Sequence, residues 1–244
     1  MINKIMNNFF GILISIIDYP NKKKILNFFK SKLKDENLKI IDIGAHKGET
    51  ISFFLNNFRV GEIYAFEPNF DLYEKLRKIN KFKKKFIRIF NFGIGYRDQI
   101  KTLNIMTDSS SSTINSLDED TEYFKKKKKI LSLFSSNKNF LKKRQEIKIT
   151  SLSQIILNNN INRIDVLKID TEGYEYNVLK GINLNDFKKI NYIYFEHHYD
   201  LMIKKGYKFS DINFLLNQNN FYKKYKLKMN FRKSFEYIYE NSEK

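Results

Sequence analysis

The sequence predicts an α/β fold built on a mainly parallel sheet flanked by helices. Three observations carry this expectation. From residue 38 onward, short apolar runs alternate with amphipathic stretches, the pattern of strand–helix–strand units. Three of those runs end at a carboxylate, Glu67, Asp170 or Glu196, where parallel strands meet the rim of a sheet. With 244 residues, 42% hydrophobic and 16% aromatic, the chain has the material for one large core.

Taken in order, residues 1–36 predict an N-terminal helical extension that breaks at Asp35-Glu36-Asn37, followed by one domain over residues 37–244. Strands are expected at about Lys39–Ile43, Glu62–Phe66, Phe86–Phe90, Asp165–Ile169 and Tyr192–Phe195. Helices are expected at Thr50–Asn57 and Leu72–Asn80. A further helix follows Glu172 and stops at Gly181, read as a left-handed cap. Residues 107–146 carry a serine run (Ser109–Ser112), an acidic cluster (Asp118 to Asp120) and a lysine run (Lys125–Lys129), with no strand signal. They predict an insertion or lid. The tail adds a helix (Ser210–Asn217) and closing strands near Phe221–Lys226 and Phe235–Tyr239.

Composition removes several chemistries. With no cysteine there are no disulfides, thiolate zinc sites, iron–sulfur clusters or thiol nucleophiles. The net charge of +18 suggests nucleic acid, but the detail argues against it: 38 of the basic residues are Lys and only 7 are Arg. Lys, together with 29 Asn and 33 Ile, has AT-rich codons, so nucleotide bias explains much of the charge. Arginine, the residue of bidentate phosphate recognition, is scarce. The longest apolar stretch, Phe9–Ile17, is far short of the roughly 20 residues a membrane span needs. It reads as a helix packed on the domain. The alternative is a shallow membrane-surface contact aided by Lys22 to Lys24. A cytoplasmic location is expected, with peripheral contact at the inner membrane surface as its variant.

Three clusters carry chemistry. In Asp42-Ile43-Gly44-Ala45-His46-Lys47-Gly48-Glu49-Thr50 a buried strand enters a glycine turn and then a helix, whose first N–H groups lack partners. The Gly-x-x-x-Gly spacing is wider than the dinucleotide fingerprint, which argues for a ligand without a diphosphate. In Ala65-Phe66-Glu67-Pro68, Glu67 closes the second strand, where a carboxylate accepts hydrogen bonds from ribose hydroxyls. Pro68, one of two prolines, biases Glu67 toward an extended conformation. The third cluster joins two strand ends, Asp170-Thr171-Glu172-Gly173 and Glu196-His197-His198. Strand alternation puts Glu196 and His198 on one face and His197 on the other.

These residues resemble the FkbM-type methyltransferases, a branch of the S-adenosylmethionine-dependent enzymes. The resemblance rests on Asp42 to Gly48 with Thr50, Ala65 to Pro68, Asn91-Phe92-Gly93-Ile94-Gly95, Asp165 through Gly181, and Glu196 to His198, in the expected order over residues 38–200. His46 stands where the family usually has Asn, and Gly93 where it has Ala. The resemblance implies a class I methyltransferase fold with a Rossmann-like, mainly parallel seven-stranded sheet. It also implies S-adenosylmethionine as methyl donor, bound by Asp42, Gly44, Ala45, Gly48, Thr50, Glu67, Pro68, Asn91 and Gly93. The acceptor it implies is a hydroxyl of a sugar, glycan or natural product.

An alcohol needs a general base or a metal to react near neutral pH. The groups at hand are Asp170, Glu172, Glu196 and His198. His198 or Asp170 is expected as base with Glu196 orienting the imidazole; the same set would suit Mg²⁺ or Mn²⁺. Cytosine C5 methylation lacks its cysteine, and amino methylation lacks the Asn-Pro-Pro-Tyr-like loop it resembles. Two other classes stay open: a nicotinamide-dependent oxidoreductase, and a non-catalytic module that binds S-adenosylmethionine, RNA or a membrane through its lysines.

Overall fold

The computed structural model describes residues 20–34, 37–107, 112–134, 141–230 and 233–243. Phe9–Ile17 and the Asp35-Glu36 break lie outside them. Helix α1 covers residues 20–32. There follow β1 (Leu38–Ile43), α2 (Glu49–Asn57), β2 (Val60–Phe66), α3 (Phe70–Leu76) and β3 (Ile87–Phe90). Next come β4 (Gly93–Gly95), β5 (Gln99–Met106), α4 (Glu122–Phe134), β6 (Leu141–Ser151) and α5 (Leu152–Asn158). The chain closes with β7 (Ile164–Ile169), α6 (Glu175–Lys180), α7 (Leu184–Phe187), β8 (Ile190–His198), α8 (Phe209–Gln218), β9 (Phe221–Lys228) and β10 (Ser234–Asn241).

Seven strands form one sheet in the order β3-β2-β1-β7-β8-β10-β9. All neighbours are parallel except β10, which runs antiparallel between β8 and β9. The near-continuous apolar strands are explained by burial on both faces. Alternate residues separate into two cores. Ile41, Ile43, Leu167, Ile169, Ile193 and Phe195 face α5, α6 and α8. Ile40, Ile63, Val166, Tyr192 and Ile238 face α1, α2 and α3.

Helix α1 is part of this second layer. Ile25 and Phe29 are buried in it, and Phe29 meets Phe54, Tyr192 and Tyr194 edge-on or tilted. Two such side chains contribute about 3–6 kcal/mol, enough to hold a helix too short to be stable alone. Among the described residues no helix is long and apolar enough to cross a membrane.

The structure differs from the expectation in the middle of the chain. Residues 141–146 are not strandless: they open β6, which pairs antiparallel with β5 and parallel with β4 in a second sheet. Leu103, Ile105, Ile147 and Ile149 alternate inward there, while lysines hold the outer positions. Helix α4 does lie inside the segment. Its Phe124 packs on Met106, Met202 and Ile203, which joins the segment to the loop after β8.

Gly181 corrects another expectation. It ends α6 with φ −82, not as a left-handed cap. Its need for glycine is closeness: a Cβ there would lie 2.0 Å from the Gly95 carbonyl oxygen of β4. Gly181→Ala must therefore push helix and strand apart, and urea unfolding should register a loss of about 1–3 kcal/mol. An unchanged midpoint would show that the two elements separate freely.

Candidate active site

The polar site grows out of an apolar column. Ile40, Val166 and Tyr192 lie opposite one another across β1, β7 and β8. Two residues on, in the same register and on the same face, come Asp42, Lys168 and Tyr194. Lys168 is buried, with Nζ 3.5 Å from Asp170 Oδ2 and 4.2 Å from the centroid of the Tyr194 ring. The Tyr194 hydroxyl donates to Glu236 of β10, which stands opposite Glu196.

One ammonium thus faces several carboxylates. Burial alone would discharge Lys168, but Asp170, Glu236, Glu196 and Asp42 outweigh it and hold its pKa above the usual value. Burial pushes Asp42 up to about 7 against the attraction of Lys168. Neither Asp42 oxygen makes a hydrogen bond, although Thr50, in the first turn of α2, lies near enough to act on it. Asp170 and Glu236 are raised, again mainly by burial. Asp170 differs from its neighbours in that a third of its side chain, 34%, reaches solvent.

The N–H groups of the turn after β1 are engaged within the fold, ahead of the first turn of α2, where free N–H groups are expected. Those of Gly44 and Ala45 donate to the Phe66 carbonyl at 2.9 and 3.0 Å, and that of Gly48 donates to the Ala45 carbonyl. The Lys47 N–H is taken by the Glu49 carboxylate. The His46 N–H is taken by Glu67, whose other oxygen accepts from Asn69. Burial pushes Glu67 up to about 7 despite those two donors. A ligand here meets the Glu67 carboxylate and the first turn of α2, which has no side-chain cap. His46 has φ 49, a left-handed conformation that Asn and His tolerate better than most residues, so the His-for-Asn difference preserves the backbone.

Three predicted cofactor residues do structural work. Asn91 donates to the carbonyls of Glu67 and Pro68 at 3.0 and 3.1 Å, fixing that turn, and Gln145 of β6 also donates to Pro68. Gly93 is buried at the start of β4, where a Cβ would meet Ile149.

At the far strand, His198 lies at ion-pair distance from three carboxylates. Nε2 is 3.3 Å from Glu172 and 3.6 Å from Glu196, and Nδ1 is 3.4 Å from Asp200. Burial opposes the charge, but Glu172, Asp200 and Glu196 prevail and carry the imidazole up to about 10. The three carboxylates thus favour the charged form of the His198 ring. His197 points to the opposite face, among Tyr199, Tyr207 and Phe209, where burial pushes it down to about 4. The alternation predicted for these two histidines is the one observed.

The residues expected to hold Mg²⁺ or Mn²⁺ do not fit a metal ion. Asp170 turns to Lys168, while Glu172 and Glu196 pair with His198. Among the described residues no three acidic or imidazole groups are arranged around a common point for an ion. The site also includes groups that sequence reasoning passed over: Lys168, Tyr194, Asp200 and Glu236. Lys168 was detectable, because alternation puts it on the face of Asp170.

The His198 cation has a consequence for stability. Its folded pKa lies above the unfolded value of about 6.5, so its contribution is full below that pH and is lost as pH rises toward about 10. His198→Gln should unfold more easily at pH 7, where the three carboxylates lose their cation. It should also show a shallower fall in unfolding free energy between pH 7 and 9.5. Equal slopes for variant and parent, by urea titration, would refute the assignment.

A family model described as the methyltransferase FkbM domain matches residues 42–223. No curated protein sequence is similar enough to match. Among solved structures, TrmK of M. capricolum, bound to S-adenosyl-homocysteine, is 13% identical with a TM-score of 0.49; the match covers 89% of this chain and 67% of that one. Magnesium protoporphyrin IX methyltransferase from Synechocystis, with bound S-adenosylmethionine, is 8% identical with a TM-score of 0.48, covering 93% and 80%. Fibrillarin from Aeropyrum pernix, with natively bound S-adenosyl-L-methionine, is 10% identical with a TM-score of 0.46, covering 89% and 74%. At such scores these likenesses add nothing to the family match, which spans most of the chain. The strand order and the match together identify a class I fold, and the chain belongs to the FkbM family of S-adenosylmethionine-dependent methyltransferases.

Proposed function

We propose that this protein transfers the methyl group of S-adenosylmethionine to a hydroxyl oxygen of a sugar, glycan or natural product. The observation that carries the reading is Asp170. It is a partly exposed carboxylate of raised pKa, at the carboxyl end of β7, between two buried cations. The donor supplies a methyl carbon on a sulfonium. The acceptor oxygen attacks that carbon in line, the carbon–sulfur bond breaks, and sulfur keeps the electron pair.

The chain positions the reactants and takes the proton. Asp42 fits the donor side, since it presents two buried oxygens that make no hydrogen bond, beside Gly44, Ala45, Gly48 and Thr50. Glu67 keeps lone pairs for ribose hydroxyls after accepting two N–H groups. Asp170 is the base, because an imidazolium has no site to accept a proton. His198, paired with Glu196 and Glu172, sets a positive charge beside the acceptor. Positioning of this kind accounts for several kcal/mol of the barrier in well-aligned reactions. Residues 113–118, which hold the loops after β7 and β8, are placed to shape the acceptor side.

Calorimetry tests the donor half directly. S-adenosylmethionine and its demethylated product should bind, and NAD should not. Glu67→Ala loses charge-assisted hydrogen bonds and should weaken binding by about 1.5–3 kcal/mol, roughly 10- to 150-fold. Binding of NAD in place of S-adenosylmethionine would favour an oxidoreductase, and undiminished affinity in Glu67→Ala would remove Glu67 from the ribose.

A further inference from the structure

The loop between β7 and α6 contains two successive residues in the left-handed region, Glu172 with φ 51 and Gly173 with φ 95. Glycine adopts this readily, whereas a glutamate needs its surroundings to enforce it. On one side the loop is gathered by Glu175, which is fully buried. One of its oxygens accepts from the Thr171 N–H and hydroxyl and from the Gly173 N–H, and the other accepts from the Tyr207 hydroxyl.

On the other side the holding groups come from a distant part of the chain. The Thr113 hydroxyl donates to the Glu172 carbonyl at 2.7 Å, and the Asn115 side chain donates to the Gly173 carbonyl at 2.6 Å. Thr113 is only 1% exposed, and its oxygen also accepts the Asn115 N–H, so its hydroxyl hydrogen and a lone pair are both committed. The segment is itself anchored. Thr113 bridges Asn104 at the end of β5, Asp118 N–H donates to Met202, and Lys204 N–H donates to Ser116. Residues 113–118 therefore bind both loops that carry the site, the one after β7 and the one after β8.

We propose that Thr113 and Asn115 are positioning residues that keep Glu172 aimed at His198 by holding the carbonyls of Glu172 and Gly173. Neither side chain touches the donor side of the cleft. They act through the turn: released, Glu172 returns to an ordinary backbone conformation and its carboxylate leaves Nε2. The charged groups facing His198 would otherwise be unchanged, namely Glu196 on its own strand, Asp200 after it, Glu175 on α6, Asp170 at the end of β7, and Lys205, whose ammonium donates to the His198 carbonyl. The inference rests on the reading of His198 as part of the active site, but its test reads the imidazole itself.

The protein is labelled at histidine and titrated by NMR, with the three imidazoles assigned from His46→Gln and His197→Gln. In the parent protein His198 shows no titration step below about pH 8.5. Thr113→Val, which keeps the shape and removes the hydroxyl, should lower its pKa by about one unit or more. Thr113→Ser should restore the parent behaviour. Asn115→Ala, which leaves Thr113 in place, should shift it in the same direction and serves if Thr113→Val does not fold. Glu172→Gln should give a shift of its own, to which Thr113→Val adds nothing in the double variant. Affinity for S-adenosylmethionine should stay within about twofold in the Thr113 and Asn115 variants, which leave the turn at residues 44–50 untouched. An unchanged His198 titration in Thr113→Val, or full additivity with Glu172→Gln, overturns the proposal. Failure of every version to bind S-adenosylmethionine would strike the methyl-transfer reading instead, and the histidine titration would still decide this one.

Discussion

The pairing of β1 with β7 is the constraint on which the site depends. These strands are more than a hundred residues apart in sequence, yet they are neighbours in the sheet at the point where the strand order reverses. There the connections leave to opposite sides and a crevice opens beyond the strand ends. The approach is close: the Asp170 N–H donates to the Ile43 carbonyl at 2.8 Å, and a Cβ on Gly44 would lie 1.8 Å from the Asp170 carbonyl oxygen. Gly44 is thus demanded twice, by this contact and by its φ of 85. The glycine that marks the motif in sequence is first a packing requirement. Its effect on a ligand is indirect, because it lets the two carboxylate-bearing strand ends stand side by side.

What stands there is costly to bury. An ammonium or carboxylate loses several kcal/mol of hydration on leaving water, and only close partners offset it. The fold limits the cost by placement. On the face that carries the site, β1, β7 and β8 stay apolar through Ile40, Val166 and Tyr192 and become polar only at Asp42, Lys168 and Tyr194. Each cation has several carboxylates within reach, while Asp42, Asp170 and Glu236 all resist ionisation. Protons are shared among groups that cannot all be charged at once. A hydrophobic cluster of the same volume would be at least as stable. Buried groups whose protonation is shifted by desolvation and close partners are the kind that functional sites draw on.

All seven strands of the main sheet were legible in the sequence, most of them as an apolar run bounded by a break. The second sheet was not. In β6 the alternation of Ile147 and Ile149 is short and is preceded by Lys142, Lys143 and Arg144, so a strand is disguised as a solvated loop. Lysine enrichment across the chain makes that disguise common. The site was half legible. Asp42, Glu67, Asp170, Glu196 and His198 announce themselves as charges at strand ends. Their states do not, because a pKa depends on which groups converge in space. Asp200 and Glu172, whose carboxylates raise the His198 pKa, reach the imidazole only through the loops that follow β7 and β8.

The same separation of sequence from local field applies to the net charge. The chain carries +18, and many of its lysines lie on exposed positions, as on α4, β6 and β9. The crevice has the opposite character: Asp42, Asp170, Glu172, Glu196 and Asp200 gather around Lys168 and His198. Exposed charges more than about 10 Å away are largely screened at physiological salt, whereas buried neighbours act almost unscreened. A group entering the crevice therefore responds to those carboxylates and two cations, and the surface lysines bear on solubility and encounter. Total charge, the first number the sequence offers, says least about the chemistry at the strand ends.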